Sequence, residues 1–125
     1  MKLVITTTSP MVDAQIDPRF GRAAYFVIID PDTLAWQAVP NPGINASGGA
    51  GVQAAQFAAD LNCDAVVSGD FGPNAYNTLK AAGVHIYLLG SCRTPQEVIQ
   101  QFKTDKLEQL VSPTEARGRG RGRRG

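Results

Sequence analysis

At 125 residues with 43% hydrophobic side chains, the chain has the size of one domain and enough apolar surface for a core. Its formal net charge of +1 conceals an asymmetry. Residues 117–125, Arg-Gly-Arg-Gly-Arg-Gly-Arg-Arg-Gly, hold five of the twelve basic residues and no acid, leaving seven bases against eleven acids, a net of −4, in residues 1–116. Two cysteines without a CxxC pair and a single histidine argue against a disulfide framework and a four-ligand zinc site. No apolar run approaches a membrane span, and Met1-Lys2 leads straight into Leu3-Val4-Ile5, too short for a signal peptide, so a cytoplasmic protein without membrane association is expected.

Lys2 to Thr8 is nearly continuously apolar and rich in Val, Ile and Thr, which predicts a buried central strand. A long loop follows from Ser9 to Gly21, with Pro10, Pro18 and the polar cluster Asp13, Gln15, Asp17, Arg19 and Arg22 in and beside it. Loops of this length in small domains are usually functional or disordered. Ala23 to Asp30 and Leu34 to Val39, joined by Pro31-Asp32-Thr33, predict a hairpin.

Asn41-Pro42-Gly43-Ile44-Asn45 then leads to the glycine-dense turn Ser47-Gly48-Gly49-Ala50-Gly51, which runs directly into Val52 to Leu61. There Ala54, Phe57, Ala58 and Leu61 recur at i, i+3, i+4 and i+7, with Gln53, Gln56 and Asp60 opposite, as in an amphipathic helix. Glycines ahead of a helix let backbone come close to a ligand while first-turn N–H groups point outward unpaired, a corner that favours anions. An ordinary tight loop gives the same glycine pattern. The spacing matches neither a P-loop, which needs Lys-Ser/Thr, nor a dinucleotide fingerprint, which needs a preceding strand.

Asp64 to Ser68 predicts a short buried strand ending at Gly69-Asp70-Phe71-Gly72-Pro73, where Pro73 opens a helix running to about Ala82 and capped by Gly83. Val84 to Leu89 is a further strand. In Gly90-Ser91-Cys92-Arg93-Thr94-Pro95-Gln96-Glu97, Thr94 and Glu97 make a capping box for a third helix running to about Lys103, with Leu107, Leu110 and Val111 as a short docked end.

A meander followed by strand–helix alternation predicts an α/β fold: a mixed five-stranded sheet of order 3-2-1-4-5, the first strand central and the second antiparallel to it. The loops after the first, fourth and fifth strands then share the sheet edge where open α/β sheets bind ligands. Ser9 to Arg22, Gly69 to Asn74 and Gly90 to Thr94 converge there beside the glycine corner. The candidate binding residues are Arg19, Arg22, Ser47, Gly48, Gly49, Ala50, Gly51, Gly72, Cys92 and Arg93, with Cys92 the candidate for a single metal bond. Arg93 and a helix N-terminus should favour the Cys92 thiolate. Against this, Arg19 and Arg22 could simply pair with Asp13 and Asp17, and Cys92 could be a small packing residue. Cys63 and His85 belong at the opposite edge and read as structural. Asp13, Asp17 and Asp70 lie near the right edge for a two-metal nuclease, but the first strand carries no acid. No Ser-His-Asp or Cys-His arrangement is credible with the only histidine at the wrong edge, so no catalytic residue and no enzyme activity are expected.

Asp17-Pro18-Arg19-Phe20-Gly21-Arg22-Ala23 followed by Tyr25-Phe26, then Asn41, Gly48-Gly49-Ala50-Gly51, Gly69-x-x-Gly72-Pro73-x-Ala75 and Ala82-Gly83-Val84 resemble the dinitrogenase iron-molybdenum cofactor biosynthesis family over residues 1–111. The resemblance implies a ribonuclease H-like three-layer α/β/α fold. It further implies non-enzymatic binding or carriage of an anionic metal-sulfur cluster, molybdenum-copper sulfide or iron-molybdenum in type, with cluster donor or acceptor proteins as partners. The orange-protein-like branch holds its molybdenum-copper cluster without covalent attachment, whereas some nitrogenase-cofactor carriers use a histidine that these loops lack. The residues agree with this, because a sulfide cluster is a compact polyanion that arginines and helix N-termini can hold. Clustering such cations without a ligand is costly, so the loops Ser9 to Arg22 and Gly90 to Thr94 are expected to be loose until the anion arrives. The cluster-binding domain is placed at 1–111. The Arg/Gly tail, 112–125, is expected to be disordered and dispensable for folding, and salt-dependent contact with nucleic acid or another polyanion through it is the alternative function.

Overall fold

The computed structural model describes residues 1–45 and 48–112, so Ser47 and the Arg/Gly tail from residue 113 onward lie outside the described residues. In chain order the strands are β1 (Leu3–Thr7), β2 (Tyr25–Ile29), β3 (Trp36–Pro40), β4 (Ala65–Ser68), β5 (His85–Leu88) and β6 (Glu108–Gln109). The helices are α1 (Ala50–Asp60), α2 (Pro73–Ala81) and α3 (Pro95–Lys103), and 3-10 turns occupy Phe20–Arg22 and Pro42–Asn45.

β1 is central, and all five of its residues are buried because it is covered on both faces and paired on both edges. It runs antiparallel to β2, with Leu3 opposite Ile29, and parallel to β4, with Leu3 opposite Ala65. The strand period of two then sorts the apolar side chains into two cores. Val4, Phe26, Ile28, Val66 and Ile86 face α1 and α2, packing with Ala54, Ala58, Ala75 and Leu79. Leu3, Ile5, Val27, Ile29 and Val67 face the other way, onto Val98 and Ile99 of α3. The result is the expected three-layer α/β/α arrangement.

The sheet order is β3-β2-β1-β4-β5-β6, which contains the expected 3-2-1-4-5 and adds a sixth strand. The short docked end pairs antiparallel with β5, Leu88 opposite Glu108, and Leu110 N–H donates to the Ile86 carbonyl at 2.7 Å. Two residues are too few to show a strand period. The hairpin also turns later than Pro31-Asp32-Thr33 suggested: Asp30 N–H bonds the Ala35 carbonyl, Leu34 sits at φ 66°, and β3 begins only at Trp36. Among the described residues no helix is long and apolar enough to cross a membrane.

Candidate anion-binding site

Beyond β1 the chain folds back over the carboxyl edge of the sheet. Thr8 N–H donates to the Gln15 carbonyl, Asp17 N–H to the Thr6 carbonyl at 3.0 Å, and Gly69 N–H to the Pro18 carbonyl at 3.1 Å. Two buried hydroxyls at the ends of adjacent strands fix the centre of this loop: Thr6 Oγ1 donates to the Asp17 carbonyl at 2.6 Å and lies 2.7 Å from Ser68 Oγ. Ile16 N–H reaches the Arg93 carbonyl at 2.8 Å, and Arg19 bridges to Asp70. The segments Ser9 to Arg22, Gly69 to Asn74 and Gly90 to Thr94 therefore do meet at one edge. The first of them is held to the sheet by the backbone hydrogen bonds Thr8–Gln15, Asp17–Thr6 and Gly69–Pro18.

The 3-10 turns wedge the glycine corner against this loop. A Cβ added at Gly21 would meet Gly51 Cα at 2.9 Å, and one at Gly43 would meet the Ala50 carbonyl oxygen at 2.5 Å, so these backbones touch where no side chain fits. Asn41, 1% exposed, clips the two turns together. Its Nδ2 donates to the Phe20 and Ala23 carbonyls, and its Oδ1 accepts from Gly43 N–H. Phe20 stacks on Phe26 and lies 5.0 Å, centroid to centroid, from Phe71, which anchors the turn to β2 and to the loop before α2.

The N-termini of α1 and α2 lie side by side at this corner, with an added Gly51 Cβ only 3.3 Å from Ala75 Cβ. Gly49, at φ 68°, caps α1 and Gly72 caps α2; neither has a side-chain cap and neither helix has an acid in its first turn. The space into which a Cβ at Gly48, Gly49 or Gly72 would project is open. Among the described residues no side-chain cap is made at either set of first-turn N–H groups, and the partial positive charge of both helix ends lies behind them.

The α3 terminus differs. Its Thr94 side chain accepts from Glu97 N–H at 3.4 Å, and the Glu97 carboxylate accepts from Arg93 N–H at 2.5 Å. Cys92 is buried in the core beneath α3, across the sheet from α1 and α2. Burial, with the nearby Glu97 charge adding to it, pushes its thiol pKa up, the opposite direction from the expected thiolate. Its neighbouring cavity of about 200 Å³ is lined by Ser91, Glu97, Gln100 and Gln101, an acidic and amide surface.

At this edge Asp17 and Arg19 form a side-chain ion pair. Arg19 Nε and Nη2 donate to Asp17 Oδ1 and Oδ2 at 3.1 and 2.9 Å, and Arg19 N–H donates to Oδ1 at 2.9 Å. Burial would raise the Asp17 pKa, but the hydrogen bonds and charge of Arg19 win and hold it below its ordinary value. Arg22 and Arg93 are exposed. Cys63 is structural, its thiol donating to the Ala58 carbonyl, and His85 meets Gln109 at the start of β5. Among the described residues no three His, Cys, Asp or Glu side chains are grouped to hold a metal ion. Thr6, Ser68 and Gly43 were not visible as site residues in the sequence, because Thr and Ser in an apolar strand read as strand propensity and Gly43 as a loop.

This architecture defines a three-layer α/β protein in which the N-termini of α1 and α2 meet at the carboxyl edge of the sheet. The chain belongs to the dinitrogenase iron-molybdenum cofactor family, whose model matches residues 1–105. It is similar to the apo form of the orange protein from Desulfovibrio gigas, at 33% identity and a TM-score of 0.86 over 91% of this chain and 96% of that one. A putative NifB protein from Thermotoga is also similar, at 30% identity and a TM-score of 0.78 over 92% and 97%. An uncharacterized protein of Methanocaldococcus jannaschii is 26% identical over 104 residues, 81% of this chain and 87% of that one. Family and fold together support a role in binding or carrying a metal cluster or cofactor.

Proposed function

We propose that the protein carries a preassembled anionic metal-sulfur cluster, of the molybdenum-copper sulfide or iron-molybdenum type, as cargo at the α1/α2 corner. The observation that carries this is the pair of adjacent helix N-termini whose glycine caps offer no side-chain cap. A bare cation would need grouped ligands, whereas a sulfide polyanion needs donors and positive charge. Gly48, Gly49, Ala50, Gly51 and Gly72, with Ser47 preceding them, would supply backbone N–H groups, and Arg19 and Arg22 would add charge from the flanking loop. Arg93 would contribute at longer range. Cys92 would give at most one bond to metal, and only after deprotonation and exposure.

Such carriage requires no bond making by the protein, so the chain acts as a carrier in the cytoplasm rather than as an enzyme, exchanging cargo with cluster donor or acceptor proteins. Residues 1–111 would suffice for it, and the tail beyond would be dispensable for folding. The test is anaerobic reconstitution with tetrathiomolybdate and copper(I), followed by gel filtration. Visible absorption and metal eluting with the protein are expected, in a form lost when Arg19 and Arg22 are both neutralised. Metal eluting only in the small-molecule fraction would sink the proposal.

A further inference from the structure

The Asp17–Arg19 pair poses a question that simple electrostatics answers the wrong way. A carboxylate beside an anion site should weaken binding, yet Asp17 is only 8% exposed at its side chain and is held through both its backbone and its carboxylate. Its carbonyl is fastened by the Thr6 and Ser68 hydroxyls, and both carboxylate oxygens are engaged by Arg19. Arg19, by contrast, is 66% exposed. The fork to Asp17 uses Nε and one N–H of Nη2, which leaves about three of the five guanidinium donors directed away from the carboxylate. The backbone of Arg19 is at the same time bridged to Asp70, two residues before the α2 cap, and Gly21 lies against Gly51 of α1.

Resting on the carrier reading above, we propose that Asp17 is a positioning residue: anchored to the ends of β1 and β4, it holds the Arg19 guanidinium in one orientation, so that its outer donors are ready for an anionic cargo. A freely rotating arginine must lose rotamer freedom when the anion binds; this one has already lost it. The benefit of order then exceeds the cost of the nearby negative charge, because that charge is itself neutralised by the fork.

The probe is tetrathiomolybdate with copper(I), titrated anaerobically into the folded chain and followed by visible absorption. Asp17→Asn removes a negative charge but frees Arg19, and affinity should fall roughly three- to tenfold. The same substitution made in an Arg19→Ala background should change nothing, since positioning acts only through Arg19. Independently of any ligand, the Arg19 Nε–H resonance should be dispersed and slow to exchange in the parent and collapse toward the free-arginine position in Asp17→Asn. If Asp17→Asn does not fold, Arg19→Lys decides, because it keeps the charge on an exposed side chain but lacks the planar fork. Loss close to that of Arg19→Ala supports positioning, and parent-like affinity overturns it. Tighter binding by Asp17→Asn in both backgrounds would show a plain charge effect and overturn positioning while leaving the carrier reading intact. Failure of the parent itself to bind would sink both.

Discussion

Two corners of the same sheet edge are built in opposite ways. At α3, Thr94 and Glu97 consume local donors and place a carboxylate at the terminus. At α1 and α2 glycines cap the helices, no acid occupies the first turn, and the termini are packed together. The α3 corner is finished for stability, and the α1/α2 corner leaves its donors for something else. Anion binding on this fold should therefore be lopsided, and the difference can be broken from either side.

The largest effect is expected from dismantling the wedge that sets the open corner. Gly43→Ala would drive a Cβ to 2.5 Å from the Ala50 carbonyl oxygen, and a loss of about 2–3 kcal/mol in urea unfolding is expected from such overpacking. Gly48→Ala, with open space at its Cβ, should stay within about 0.5 kcal/mol. Equal effects at the two positions would show that the glycines are not divided between packing and access.

Next comes an exchange of cap chemistry. Gly72→Asp gives α2 the carboxylate that α3 already has, at extended backbone where Asp is at ease. Stability should rise by up to about 1 kcal/mol while thiomolybdate affinity drops about tenfold. Thr94→Ala is its mirror: a loss of roughly 1 kcal/mol in thermal unfolding with cargo retention unchanged. Cys92→Ser should retain most of the visible absorption, because its thiol belongs to the α3 side of the sheet; a colourless product that remained folded would move the cargo to that side.

The smallest effects are titrations. The Cys63 pKa is pushed up to about 11 by burial, so the folded chain keeps a proton that the unfolded chain releases from about pH 8.5. Stability should fall as pH rises across that interval, and Cys63→Ala should flatten the slope. Asp17 works in the other sense: its folded pKa lies below the unfolded one, so its stabilisation is present above about pH 4 and is lost as pH falls through the folded value. Urea midpoints against pH, with Asp17→Asn as reference, check both signs.

Sequence pattern made the middle of this molecule legible and left its margins obscure. Lys2 to Thr8 announces a central strand through its nearly continuous apolar run, and the meander then strand–helix alternation orders its neighbours. β6 escapes because its two residues are both exposed and only the flanking Leu107 and Leu110 pack. At the edge, the convergence of loops follows from topology, and the pairing of Arg19 with Asp17 was one of two readings their spacing allows. Which face of the sheet Cys92 joins depends on how the loop leaves β5, a three-dimensional fact with no periodic signature. Thr6 and Ser68 acquire meaning only when β1 and β4 are placed side by side.

The central position of β1 also has a consequence during synthesis. Its pairing with β2 is a local hairpin-like closure that can form within about 10 μs once Ile29 is available. Its other edge waits for β4, and Leu3 faces Ala65 across the whole of β2, β3 and α1. At ordinary elongation rates that gap corresponds to roughly 2–8 s in which an apolar, unpaired strand edge is presented to the surroundings. The ribosome's pace over residues 30–68 then sets how long this edge of the nascent chain waits for its partner.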